Sequence, residues 1–126
     1  MKLIGIGLDL CEVERMRDLM KRHEGRFELR TFTESERAYC TKNIDPAMHY
    51  AARFAAKEAV AKALGTGFAD GVGWSDIEVI RAESGQPSIH LHGGTAQRAK
   101  ELGAKQIHLT LTHTKDTAAA SVVIMG

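Results

Sequence analysis

Residues 3–10 alternate along the chain. Ile4, Ile6, Leu8 and Leu10 take one side of a strand, and Gly5, Gly7 and Asp9 take the other. One face is greasy and the other nearly bare, with a carboxylate at the strand's end. A bare face leaves room for a ligand or for another backbone, and Asp9 is equally placed to cap the next helix. The period then changes. Val13, Met16 and Met20 recur at helical spacing, which predicts a helix over residues 13–23. Thr33-Glu34-Ser35-Glu36 is a capping box, with Thr33 as N-cap and Glu36 at N3, and it starts a short helix to about Thr41. A loop through Asn43, Ile44, Asp45 and Pro46 leads into the alanine-rich run RFAAKEAVAKALGTG at 53–67. That run predicts a helix closed by Gly65-Thr66-Gly67. Residues 74–80 and 88–91 predict a hairpin around the Glu83–Pro87 turn. Residues 95–102 predict a short helix closed by Gly103. Residues 107–112 and 118–124 predict a second hairpin.

Together these elements predict an α+β chain, with helices packed on a small antiparallel sheet. A length of 126 residues fits one domain spanning 1–126. The charge is nearly balanced, 17 basic residues against 16 acidic, which argues against bulk nucleic-acid binding or a polybasic membrane patch. The apolar N-terminus is short and interrupted by Asp9, unlike a signal peptide, and no apolar run reaches membrane-spanning length. Cys11 and Cys40 have neither CxxC nor metal-type spacing, so reduced thiols in the cytoplasm are expected.

The chemistry concentrates in the alanine-rich helix. Ala52, Ala56, Ala59, Val60 and Ala63 make a small-residue side against which another backbone packs closely. Charges in such a helix are costly without partners. Glu58 and Lys62 are four residues apart. They read either as a solvated ion pair, worth about 0.2–0.5 kcal/mol, or as a carboxylate and lysine holding a metal ion and a phosphate. Arg15, Leu19, Arg22 and Arg26 fall at i, i+4, i+7 and i+11. That stripe is either a solvated face or a basic surface for an acidic partner helix with a small apolar knob. His90 and His92 share a strand face but lack a third ligand nearby, so surface histidines are the expectation. His113 stands at a strand end.

Several segments recur together in one order. GIGLDLCEVERM at 5–16, FTESE at 32–36, RFAAKEAVAKALGTG at 53–67, WSDIEV at 74–79, SGQP at 84–87 and LTLTHTKDTAAASVVI at 109–124 resemble the bacterial holo-[acyl carrier protein] synthases. These are the short members of the 4′-phosphopantetheinyl transferase superfamily, and the resemblance spans essentially the whole chain. It implies that fold, and transfer of phosphopantetheine from coenzyme A to a serine of apo acyl carrier protein, in fatty acid biosynthesis, with release of adenosine 3′,5′-bisphosphate. Mg²⁺ is the implied cofactor, with Asp9 and Glu58 as its carboxylates and, with Lys62, as the catalytic group. Lys62 matches the lysine on the pyrophosphate. Arg53, Gly65, His113, Gly85 and Pro87 match coenzyme A contacts. Arg15, Leu19, Arg22 and Arg26 match the helix that receives the carrier protein. The family's trimers imply sites between subunits. Thr110 and Thr112 stand where the family often has serines. Two other readings are a non-catalytic nucleotide- or carrier-binding module and a Mg²⁺-dependent nucleotide pyrophosphate hydrolase. The first does not need Asp9, Glu58 and Lys62 together, and the second does not need the basic stripe.

Overall fold

The computed structural model describes all 126 residues. Its strands are β1 (Leu3–Glu12), β2 (Ile77–Arg81), β3 (Pro87–Leu91), β4 (Gln106–His113) and β5 (Thr117–Met125). Its helices are α1 (Val13–Arg22), α2 (Arg26–Thr31), α3 (Glu34–Thr41), α4 (Pro46–Ala63) and α5 (Gly93–Glu101). The fold is α+β, as expected. One three-stranded antiparallel sheet has the order β1-β5-β4, and β2 and β3 form a separate two-stranded ribbon.

The centre of the molecule is α4. Pro46 sits at its first turn, where a missing N–H costs nothing, and nearly every later residue is buried. Ala52, Ala56, Ala59, Val60 and Ala63 all lie in the core. The bare face of β1 meets this helix. A Cβ added at Gly5 would lie 1.9 Å from the Ala63 carbonyl oxygen, and one at Gly7 would lie 1.9 Å from that of Ala59. The glycines therefore admit another backbone, which resolves the choice left open by the sequence. Asp9, on the same side, is carried against the last turns of α4. It does not cap α1, whose N-cap position is Glu12.

The greasy face of β1 consequently points outward. Ile6, Leu8 and Leu10 are 68%, 63% and 61% exposed. They pair in register with Val123, Ser121 and Ala119 of β5, while Gly7, Asp9 and Cys11 pair with Val122, Ala120 and Ala118 on the inner face. Ala118 and Ala120 are buried, as are both free cysteines. Burial pushes the Cys11 thiol up to about 11 and that of Cys40 to about 12.

Three local expectations change. Trp74–Asp76 is a 3₁₀ turn, so the first hairpin strand starts at Ile77. A short helix, α2, follows α1 after Glu24 and Gly25, whose φ values are 51° and 88°. That turn also breaks the basic stripe. Arg15, Leu19 and Arg22 share α1, whereas Arg26 opens α2 and does not continue their face.

Candidate active site

The contact of β1 with α4 gathers three of the predicted groups. Lys62 Nζ donates to Asp9 Oδ1 at 2.6 Å and to the Leu8 carbonyl at 3.2 Å. The lysine is half exposed and the aspartate nearly covered, at 53% and 13%. The i,i+4 pair expected between Glu58 and Lys62 does not form, because Lys62 turns to Asp9 instead. Glu58 sits beside Asp9 without an ion-pair partner. Burial first, then the Asp9 charge and a hydrogen bond shared with it, push the Glu58 carboxyl up to about 6. Two neighbouring, mostly covered carboxylates repel unless a proton or a cation sits between them. With an ammonium on one flank, this is a donor set for a hard divalent cation that carries phosphate oxygens as its further ligands. No cluster of three or more His, Cys, Asp or Glu accompanies it.

Arg53 and His113 meet elsewhere. They line a cavity of about 280 Å³ together with Tyr39, His49, Arg81 and Thr112. Arg53 is only 2% exposed. Its guanidinium lies 4.2 Å from the centre of the Tyr39 ring, and its Nε has no hydrogen-bond partner. Five residues separate Arg53 from Glu58 on α4, a turn of about 140° about the helix axis. One subunit therefore presents the two groups on different sides of its central helix.

Two glycine-containing segments differ in what they offer. The N–H of Gly65 donates to Lys62 O at 3.0 Å and that of Gly67 to Ala61 O at 3.1 Å, so both are occupied in closing the helix. Gly65 itself adopts φ 79°, which fits its role as the residue that ends the helix. Gly85, at φ 90°, lies in the turn between β2 and β3, and a Cβ there would be 3.6 Å from an Arg81 nitrogen. Pro87 is the cross-strand partner of Arg81. Gly85 and Pro87 thus adjoin the Arg53–His113 cavity through Arg81.

On the far side of α4, Arg15 and Leu19 line a separate cavity of about 350 Å³ with Phe27, Arg30, Phe54 and Trp74. Trp74 stacks on Phe54 at 4.7 Å and on Phe68 at 3.6 Å, and Arg15 lies over Phe54 at 5.7 Å. Arg22 is exposed on α1, and Arg26 lines a shallower hollow with His23, Leu29 and Arg30.

The sequence reading missed Lys57. It is wholly buried against Glu36, with Nζ–Oε1 at 2.8 Å, and it donates to the carbonyls of Trp74 (2.9 Å) and Ile77. Glu36 accepts from Thr33 N at 2.8 Å, completing the predicted capping box, and from Val79 N at 2.8 Å. Burial draws the Lys57 ammonium below its ordinary value, and Glu36 opposes that shift. An apolar setting around a lysine was the available signal. Its partners, far away in sequence, were not.

A small α+β chain that holds two carboxylates and a lysine at one helix–strand contact, and unpaired guanidinium groups in a second cavity, has the charge layout of a protein that handles phosphate esters. Residues 5–122 match the 4′-phosphopantetheinyl transferase superfamily, and the chain belongs to it. It is accordingly an enzyme, a phosphopantetheinyl transferase. Among its relatives, the holo-[acyl-carrier-protein] synthase of Methylobacterium radiotolerans is 48% identical, over 97% of this chain and 93% of that protein. That of Anaeromyxobacter sp. is 47% identical, over 98% and 97%. The crystal structure of the Neisseria meningitidis synthase superposes with a TM-score of 0.92 at 31% identity, covering 98% of this chain and 99% of that one. The Helicobacter pylori synthase in complex with coenzyme A gives 0.85 at 27% identity, over 95% and 99%.

Proposed function

We propose that this enzyme transfers 4′-phosphopantetheine from coenzyme A to a serine of apo acyl carrier protein, within fatty acid biosynthesis in the cytoplasm, and that residues 1–126 form one transferase domain. The observation that carries the reading is the convergence of Asp9, Glu58 and Lys62 in a member of this superfamily. The serine Oγ attacks the pyrophosphate phosphorus that bears the pantetheine arm. The bridging P–O bond breaks, adenosine 3′,5′-bisphosphate leaves with the bridging oxygen, and the serine proton passes to a base at the site. Such a transfer needs positioning and charge neutralisation more than covalent help. Asp9 and Glu58 would hold Mg²⁺, which when bound neutralises charge on the pyrophosphate. Lys62 keeps its ammonium half exposed beside Asp9, where a phosphate oxygen can reach it.

Two further parts of the reading rest on the surface. The outward face of β1 exposes Ile6, Leu8 and Leu10 side by side and suits contact with further copies, hence a homotrimer. The separation of Arg53 and His113 from the carboxylates around α4 suits sites completed by a neighbouring chain, with coenzyme A bridging the two. The cavity flanked by Arg15 and Leu19, with Arg22 and Arg26 beyond it, suits an acidic helix of the carrier protein.

The test is intact-mass measurement of an apo carrier protein after incubation with the enzyme, coenzyme A and Mg²⁺. The expected result is a gain of one phosphopantetheine. Coenzyme A hydrolysis with an unchanged carrier would identify a pyrophosphate hydrolase, and no change in either would identify a binding module. Mixing inactive Arg53→Ala and Asp9→Asn proteins should restore part of the activity, and a monomeric active species in sedimentation would defeat the shared site.

A further inference from the structure

The cavity flanked by Arg15 and Leu19 is walled by residues of α1, α2 and α4, with one exception. Trp74 belongs to a three-residue 3₁₀ turn that follows the irregular connection over residues 64–73. That connection gives the turn little support. Gly65, Gly67, Asp70 and Gly71 all have positive φ, and residues 69–71 are exposed. A single 3₁₀ turn, closed by Asp76 N to Gly73 O at 3.2 Å, does not hold its shape alone. Two buried polar side chains supply what it lacks. After Trp74, Lys57 Nζ donates to the Trp74 carbonyl at 2.9 Å. Before it, the Gly73 N–H donates to Thr95 Oγ1 at 3.1 Å, and the Thr95 hydroxyl donates to Asp76 Oδ2 at 3.2 Å. Thr95, on α5, is wholly buried, and its hydroxyl spends both its acceptor and its donor on this one turn. A buried hydroxyl is costly unless satisfied, and a valine of similar shape would fill the same space without that demand. What the hydroxyl adds over a methyl group is direction, since hydrogen bonds fix where the turn lies. With the backbone pinned on both sides of Trp74, its ring stacks with Phe54 at 4.7 Å and 10° and with Phe68 at 3.6 Å and 17°.

We propose that Thr95 is a positioning residue for carrier recognition: with Lys57 on the opposite side, it pins the turn that presents the Trp74 ring to the docking cavity. The inference rests on the reading above of that cavity as the seat of an acidic carrier helix. Aromatic anchors, tryptophan above all, carry a large share of the binding energy at such surfaces, and they do so only in the right pose. Thr95 lines neither the contact of Asp9, Glu58 and Lys62 nor the cavity of Arg53 and His113. Its loss should therefore be felt by one substrate and not by the other.

The test compares wild type, Thr95→Val and Thr95→Ser. Thr95→Val should raise KM for the carrier about tenfold, with KM for coenzyme A and kcat at saturating carrier little changed. Thr95→Ser, which keeps the hydroxyl, should stay near wild type. Trp74 is the chain's one tryptophan, so its emission reports the pose of the ring directly. That emission should shift in Thr95→Val and not in Thr95→Ser. In a Trp74→Ala background, Thr95→Val should add nothing to the carrier KM, because its effect passes through the ring. Thr95→Ala serves where Thr95→Val folds poorly. Equal losses on both substrates, a Thr95→Ser as impaired as Thr95→Val, or a Thr95→Val effect that persists without Trp74 would each overturn the proposal. Wild-type transfer separates the two readings: if the carrier gains phosphopantetheine and its KM ignores Thr95, this inference alone falls. If no transfer occurs, the transferase reading falls, and titration of Trp74 emission with a tryptophan-free apo carrier decides the docking role by itself. A saturable change that weakens in Thr95→Val sustains it, and an emission indifferent to the carrier overturns it.

Discussion

Lys57 and Glu58 are neighbours on one helix, yet they belong to regions built on opposite terms. Lys57 points into the core. Its ammonium meets the Glu36 carboxylate and two backbone carbonyls, and Glu36 in turn accepts two backbone N–H groups. Every polar atom in that cluster has a partner from within the chain, so nothing is left to offer a ligand. The cluster ties α3, α4 and β2 together and fixes the Trp74 carbonyl, while the Trp74 ring closes the cavity beside Arg15. Glu58 points to the helix–strand edge. It finds another carboxylate there and no ion-pair partner, and its pKa rises to about 6. One region is electrostatically complete and the other is not. Incompleteness that the fold tolerates is where a substrate or cofactor has work to do.

The largest effect should come from the complete region. Lys57→Met leaves Glu36 buried without its counter-charge and strips a donor from two carbonyls. Breaking such a pair from one side costs about 3–5 kcal/mol, much of a small domain's stability. Urea unfolding should show a clearly lowered midpoint. Adding Glu36→Gln should recover only part of the loss, since Trp74 O and Ile77 O still lack a donor. A Lys57→Met protein with the wild-type midpoint would erase the distinction between the two regions.

The incomplete region should respond in the opposite way. Asp9→Asn and Glu58→Gln should each lower transfer by about 100-fold or more, the scale for removing one electrostatic stabiliser from a charged transition state. The Glu58→Gln midpoint should be unchanged or slightly raised, because one of two repelling carboxylates is gone, and the Asp9→Asn midpoint should move little, because the same relief offsets the lost Lys62 pair. Mg²⁺ should raise the melting temperature of the wild type and have little effect on either variant. Near-normal turnover in a folded Asp9→Asn protein would sink the metal assignment.

How far these regions could be read from the chain depends on the range of the interactions. The capping box, the alanine-rich helix and the strand alternation are local patterns, and all three reappear in the structure. Alternation in β1 grouped Ile6 with Leu8 and Gly5 with Gly7, but periodicity does not say which face turns inward. Only the contact with Ala59 and Ala63 decides that. Asp9, Glu58 and Lys62 were singled out through family resemblance, since Asp9 and Lys62 are 53 residues apart. Lys57 looked like one more helical charge, because Glu36 and the Trp74 and Ile77 carbonyls are distant in sequence. The cations around Tyr39 come from the residue that follows α3, from α4 and from the end of β2, with no spacing rule to unite them. The six-residue α2 was hidden by the Glu24–Gly25 turn, and with it the true position of Arg26.

The smallest effect concerns Glu78, a third glutamate that sharpens the contrast by titrating the other way from Glu58. Burial alone would raise its pKa. The Ser35 hydroxyl at 2.5 Å, the Thr33 hydroxyl at 2.7 Å and His92 Nε2 at 2.9 Å outweigh that and hold it at about 2, against an ordinary 4.5. A carboxylate with a folded-state pKa below its unfolded value stabilises the fold fully above the unfolded value. That contribution fades as pH falls from about 4.5 toward 2. Wild type should therefore be the more stable protein at pH 7, and its lead over Glu78→Gln should close across that acid window. The lead should be about 1 kcal/mol or less, because His92 is half exposed and water screens the pair. Urea midpoints of both proteins at several pH values between 7 and 2 give the curve. A gap that stays constant through the window would mean that the Glu78→Gln variant loses packing rather than charge, and that Glu78 does not belong with Glu36 among the satisfied carboxylates.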